Sequence, residues 1–240
     1  MRSRTLAIAA ASGAALLATV LPATARGAAP AFRTPGRLGA PAPTGAGPVS
    51  AAALLAKVTT CSQVSHGMYR TDADAPATVP VCGKKGAVFW KADLDIDCDG
   101  RAGALCNKKT DPWFQPDTRF HQADGRPLDA EKLPYVVVPD PSPVWDYGAA
   151  GIKGGGVAAV IHGDKVEYAV VGDTGSATTI GEASYATAKA LGLDPSPREG
   201  GADADVTYIL FKDSQAEAIE DHGAAVAIGD ALAQRFLDQN

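Results

Sequence analysis

After residue 48 the hydrophobic positions fall mostly in short runs closed by glycine, proline or aspartate, and this spacing predicts strands more often than helices. Ala87-Val88-Phe89-Trp90 and Leu94-Asp95-Ile96-Asp97-Cys98 read as two strands, the second alternating apolar and acidic residues. Tyr135-Val136-Val137-Val138, held between Pro134 and Pro139, reads as a buried strand. Val157 to Ile161 and Lys165 to Val171 flank His162-Gly163-Asp164, a hairpin signal. Val206 to Phe211 is the last strong strand. Helical patterns cover 49–58, entered through Ser50, then 182–191, ending at Gly192, and 214–237, with a possible break at Gly223. Strands without regularly intervening helices disfavour a doubly wound parallel sheet. The expected fold class is mainly β with a few helices (α+β), closed or nearly closed into a barrel.

The N-terminal pattern differs from the rest. Arg2 and Arg4 precede an apolar, alanine-rich stretch over 6–21, and Ala23-Thr24-Ala25 fits a small-residue cleavage site, so residues 1–25 read as a signal peptide. The stretch is short for a membrane anchor. Residues 26–48, rich in Ala, Gly and Pro, read as a flexible linker, which leaves 49–240 as one expected domain. These features predict a secreted, extracellular protein, expected to be a monomer and free of the membrane after signal cleavage. Removing Arg2 and Arg4 takes the formal charge from −5 to −7 (−5 − 2). An acidic chain repels phosphates, which argues against a nucleic-acid partner and for a cationic one.

Four cysteines, Cys61, Cys82, Cys98 and Cys106, in an oxidising compartment predict two disulfides. Three pairings are open; Cys61–Cys82 with Cys98–Cys106 is favoured because short loops close easily. Zinc is disfavoured, since no C-x-x-C pair exists and His66 is the only nearby histidine. No metal and no cofactor are expected.

Two acidic constellations carry the candidate chemistry. In Asp93-Leu94-Asp95-Ile96-Asp97-Cys98-Asp99-Gly100, the last residues match the opening of a calcium-binding loop, but position twelve is Cys106 where a bidentate Glu belongs. Read as a strand, the segment turns Leu94, Ile96 and Cys98 to the core and lines Asp93, Asp95, Asp97 and Asp99 on one face. Such a row repels itself unless a cation shares it; the competing reading is a solvated strand face with a turn at Asp99-Gly100. The second constellation is Asp173 in Val170-Val171-Gly172-Asp173-Thr174-Gly175, with Glu182 nine positions on. Those acids fit a turn and a helix start equally well. They also fit two carboxylates on opposite sides of a groove, one kept protonated to donate to a leaving oxygen and one ionised to activate water. The histidines are scattered, no G-x-S-x-G elbow is present, and Gly154-Gly155-Gly156 lacks the Lys-Ser/Thr ending of a phosphate cradle. Trp90, Trp113, Phe114, Trp145 and Tyr147 have the shape to stack on sugar rings, with the core the expected place for Phe89 and Trp90.

The run Phe89 to Gly100, the segment Asp111-Pro112-Trp113-Phe114-Gln115, Leu133-Pro134-Tyr135-Val136-Val137, and above all Tyr168 to Gly175 with Ile180-Gly181-Glu182-Ala183-Ser184 follow one another in an order that resembles the fungal and actinobacterial chitosanases of glycoside hydrolase family 75. The resemblance spans roughly residues 58–212. It implies endo-hydrolysis of β-1,4-linked glucosamine in chitosan with inversion, and it puts the family's catalytic acids on Asp173 and Glu182. Glu182, beside apolar Ile180 and Ala183, is the expected acid and Asp173 the expected base, though the roles are interchangeable at this level. Asp95, Asp97, Asp99, Thr174 and Trp113 are the expected substrate-binding residues. The segment joining the two motifs is shorter here than in fungal members. The Val-Gly-Asp-Thr-Gly pattern between apolar strands also looks like a double-psi barrel, a likeness of fold only. A non-catalytic module binding chitosan or cell-wall carbohydrate and a peptidoglycan-active lytic enzyme remain the alternatives.

Overall fold

The structure, a computed structural model, describes residues 48–240. The expected signal peptide and nearly all of the expected linker lie outside the described residues. Seven strands and three helices follow in the order α1 (Ala51–Lys57), β1 (Cys82–Lys84), β2 (Ala87–Asp97), β3 (Tyr135–Pro139), β4 (Val157–His162), β5 (Lys165–Gly175), β6 (Glu182–Ser184), α2 (Tyr185–Leu191), β7 (Ala202–Phe211) and α3 (His222–Gln239). The sheet runs β1-β2-β6-β3-β5-β4-β7, and β7 pairs back onto β2, so six strands close into a barrel. The α+β barrel expected from the strand pattern is the fold observed. Closure leaves the barrel without a free edge.

Alternate residues of each strand point inward. Val88, Trp90, Leu94, Val136, Val171 and Tyr208 are among those that fill the interior. Trp90 and Tyr208 are cross-strand partners whose rings stack at 5.5 Å, and Trp145 meets Trp90 edge-on at 6.1 Å. The outer face is covered in two places. On one side Leu54 of α1 and Phe236 of α3 lie over Phe89, Ile161 and Phe211. On the other, the segment joining β2 to β3 folds Phe114, Leu128 and Leu133 over Tyr135 and Val170. The ends of β2, β6, β3 and β5 bring Asp95, Glu182 and Asp173 onto one outer face.

Most element expectations match, and the departures have physical causes. The segments 87–90 and 94–98 form one continuous strand to Asp97, because β7 pairs along Ala87 to Leu94 and β6 takes over at Asp95. Cys98 falls beyond that strand and is buried beside Phe114, not with Leu94. The 182–191 pattern is helical only from Tyr185; Ser184 is the N-cap, its hydroxyl accepting from the Thr187 amide at 3.2 Å. Glu182-Ala183-Ser184 are drawn into the sheet between β2 and β3. Residues 214–221 are not helical. Ser214 instead accepts from the Val157 amide and donates to the Phe211 carbonyl, and α3 starts after the Asp221 cap, with Gly223 in its first turn rather than at a break. The disulfides are Cys61–Cys82 and Cys98–Cys106, the short-loop pairing.

Candidate active site

Asp173 owes its place to a one-residue irregularity in β5. Ala169 and Val171 point into the barrel, and strict alternation would send Asp173 after them. The β3–β5 register shifts between Val136↔Val171 and Val137↔Asp173, so Gly172 is the extra residue and Asp173 turns outward. Only glycine fits there: a Cβ on Gly172 would lie 2.6 Å from Tyr135 Cβ and 2.7 Å from Leu128 Cδ1. The outward carboxylate accepts from the Arg119 and Thr174 amides, both at 2.7 Å.

Glu182 arrives on the same face from the other side. Val137 is the cross-strand partner of both Asp173 on β5 and Glu182 on β6. The two acids therefore flank one valine, and their Cα atoms are two strand spacings apart, about 9.6 Å. Gly175, at the end of β5, keeps the space between them open; a Cβ there would sit 3.2 Å from Glu182 Oε2 and 3.1 Å from Val137 Cγ1. On its far side Glu182 pairs with Asp95 of β2. The row Asp95, Glu182, Val137, Asp173 thus crosses four strands on one face.

A cleft of about 280 Å³ opens at the Asp95–Glu182 end of this row, with Asp95, Asp97, Asp99, Asp111, Trp113 and Glu182 in its walls and Asp173 beyond its edge. Burial sets the ionisation of these groups. Glu182 is pushed up to about 8, first by burial and then by the charges of Asp95, Asp99, Asp173 and Asp111. Asp97, 5% exposed, is held well above the ordinary carboxylate range by burial and by Glu182. Desolvation and the repulsion of Glu182 on Asp97 disfavour ionising both carboxyls together. Asp99 rises to about 6 through burial, against the Gln115 amide that donates to it at 2.6 Å. Asp173 also rises through burial, but its two amide donors oppose the shift. The environments therefore keep Glu182 the more proton-retentive acid and Asp173 the better stabilised anion.

The other expected site residues separate by position. Asp95 and Asp99 face the cleft, Asp95 exposed and Asp99 half-buried. Asp97 lies deeper, with its Oδ1 taken by the Asp99 amide at 2.6 Å. Thr174 pairs with Val138, on the face opposite Asp173, and serves the site through its backbone amide. Trp113 is 83% exposed at the rim, whereas Trp90, Phe114 and Trp145 are buried. Asp93 is not in the cleft wall and lines a neighbouring hollow instead. Two cleft residues carried little signal. Asp111 fixes the Trp113 turn by accepting from its amide at 2.8 Å. Arg198 pins its loop to the cleft wall through the carbonyls of Thr110 and Lys109, at 2.8 and 3.0 Å.

Glu182, raised by burial, and Asp173, bonded by two amides, thus share one sheet face across Val137, beside a cleft walled by acids and an exposed tryptophan. Residues 94–236 match the family described as the fungal chitosanase of glycosyl hydrolase group 75, and the chain belongs to that family. It is 34% identical over 137 residues to endo-chitosanase C of Aspergillus oryzae (55% of this chain, 33% of that one). It is 32% identical over 157 residues to endo-chitosanase B of the same organism (58% and 65%) and 32% identical over 142 residues to an endo-chitosanase of Aspergillus fumigatus (53% and 59%). The chain spans between one third and just under two thirds of the length of these curated relatives.

Proposed function

We propose that this chain is an exported endo-chitosanase that hydrolyses β-1,4 glucosamine linkages with inversion. The observation that carries the reading is the pair flanking Val137: Glu182, raised to about 8, and Asp173, held as an anion by two amides. Glu182 donates its proton to the leaving glycosidic oxygen, and Asp173 takes a proton from the water that attacks the opposite face of the sugar. Carboxyls that serve an inverting reaction stand about 6.5–9.5 Å apart, to leave room for that water; Cα atoms two strands apart, about 9.6 Å, are compatible with such a gap. Repulsion between the buried Asp97 and Glu182 helps keep that proton available at neutral pH.

Substrate recognition follows from charge. Each glucosamine unit brings an ammonium group, and Asp95 and Asp99 offer carboxylates for charge-assisted hydrogen bonds. Trp113 supplies a flat apolar surface for a sugar face. These steps use the chain's own carboxylates and water. Two disulfides suit an oxidising destination outside the cell. The test is the release of reducing ends from soluble chitosan, with Glu182→Gln as control. A protein that binds chitosan and releases none would instead be a binding module, and release from peptidoglycan alone would favour the lytic reading.

A further inference from the structure

The acidic row of β2 is divided between two places. Asp97 and Asp99 belong to the cleft, whereas Asp93, two positions earlier than Asp95 on the same strand face, meets a different neighbour. Asp72, on the exposed turn after Arg70, brings a carboxylate oxygen to the same spot, so that one oxygen each from Asp72, Asp93 and Asp95 lies within 4.8 Å of the others. Among the described residues none of the three is ion-paired with a Lys, Arg or His. Asp203, at the start of β7, adds a fourth negative charge to the field at Asp93 and Asp95.

A solvated acidic patch would be unremarked, but Asp93 is not solvated. It is 5% exposed, and its Oδ1 has no hydrogen-bond donor and almost no contact with solvent. Its backbone carbonyl accepts from the Tyr208 hydroxyl at 2.9 Å, which fixes the residue without serving the carboxylate. Gly181, at φ +117°, presses its backbone against that carboxylate; a Cβ there would collide with Asp93 Oδ1. Burying a carboxylate oxygen without a donor is costly unless a cation or proton meets it. Asp93 also borders a surface hollow of about 790 Å³ shared with Lys91, Asp203 and Thr207, and its partners Asp72 and Asp95 are exposed.

We propose that Asp72, Asp93 and Asp95 form a binding site for one hard divalent cation, with calcium as the probe. The donors are all carboxylate oxygens, the preference of calcium. Three carboxylate oxygens within 4.8 Å of one another lie close enough to bind one ion together. The ion ties the 69–80 segment to β2 and neutralises the row next to Gly181. This departs from the absence of metal expected from sequence, and it differs from the calcium-loop reading, whose Asp97 and Asp99 face the cleft. The site shares Asp95 with the proposed substrate-binding row but takes Asp72 and Asp93 from outside the cleft.

The test titrates CaCl2 into the chelator-treated full chain by calorimetry and follows thermal unfolding. The expected result is one ion per chain and a rise in Tm of about 4 °C at millimolar calcium, both lost in Asp72→Asn and in Asp93→Asn. Asp72 is exposed on a turn, so Asp72→Asn decides the matter if Asp93→Asn does not fold. No binding in the wild type, or an undiminished shift in Asp72→Asn, overturns the proposal. So does an equal shift with glucosamine hydrochloride that the same substitutions abolish, because the cluster would then be a subsite for the substrate's ammonium group.

Discussion

Replacing Asp95 by Asn tests the electrostatics of the site without touching the proposed acid or base. Asp95 and Glu182 are cross-strand partners, and among the charges that raise Glu182, Asp95 comes first. Side chains so paired stand about 5–6 Å apart. A unit charge at that distance is worth about 0.7–3 kcal/mol as the effective dielectric falls from that of water to about 20. Asp95 is exposed, which favours the screened end, so its loss lowers Glu182 by about half a pH unit. The sign is fixed by the role. A general acid must be protonated, so activity falls as pH rises through about 8 in the wild type. In Asp95→Asn that alkaline limb moves to lower pH. The assay is the pH profile of kcat/KM on soluble chitosan after chelator treatment, which reports the free enzyme. An alkaline limb that stays in place or moves upward refutes the assignment of Glu182 as the proton donor under the field of Asp95.

Further outcomes follow from the same geometry. Glu182→Gln and Asp173→Asn each lower kcat by two to four orders of magnitude, as roughly expected for loss of a general acid or base, with circular dichroism unchanged. Glu182→Gln also raises Tm at alkaline pH: the folded chain holds this proton from an ordinary 4.5 up to about 8, so wild-type stability declines across that window, and the amide removes the decline. Gly172→Ala meets Tyr135 and Leu128 and costs about 1–3 kcal/mol in urea unfolding. Trp113→Ala leaves that unfolding midpoint in place and raises KM for long oligomers, because the side chain is 83% exposed.

Local chemistry made part of this legible in the sequence. The His162-Gly163-Asp164 hairpin, the Ser50 cap, the short-loop disulfides and the strands around Tyr135 and Val206 follow from turn, capping and pattern rules, and each is present. The helix pattern at 182–184 failed because tertiary pairing overrode it: the gap between β2 and β3 took three residues, and Ser184 capped what remained. Asp173 was legible as a candidate but its direction was not, since the extra residue at Gly172 shows only in the register with β3. Asp72 and Arg198 were invisible because their partners lie far along the chain. Asp97 read as part of a surface row; only the cover provided by neighbouring segments buries it and couples it to Glu182.

The most direct measurement is proton NMR of the anomeric region during the first minutes of chitosan hydrolysis at neutral pH. Acid and base flanking Val137 with a water between them predict that the new reducing ends appear first as the α-anomer, with the β-anomer growing in by mutarotation. Initial release of the β-anomer would mean retention, and would contradict the placement of Asp173 as a base acting through water.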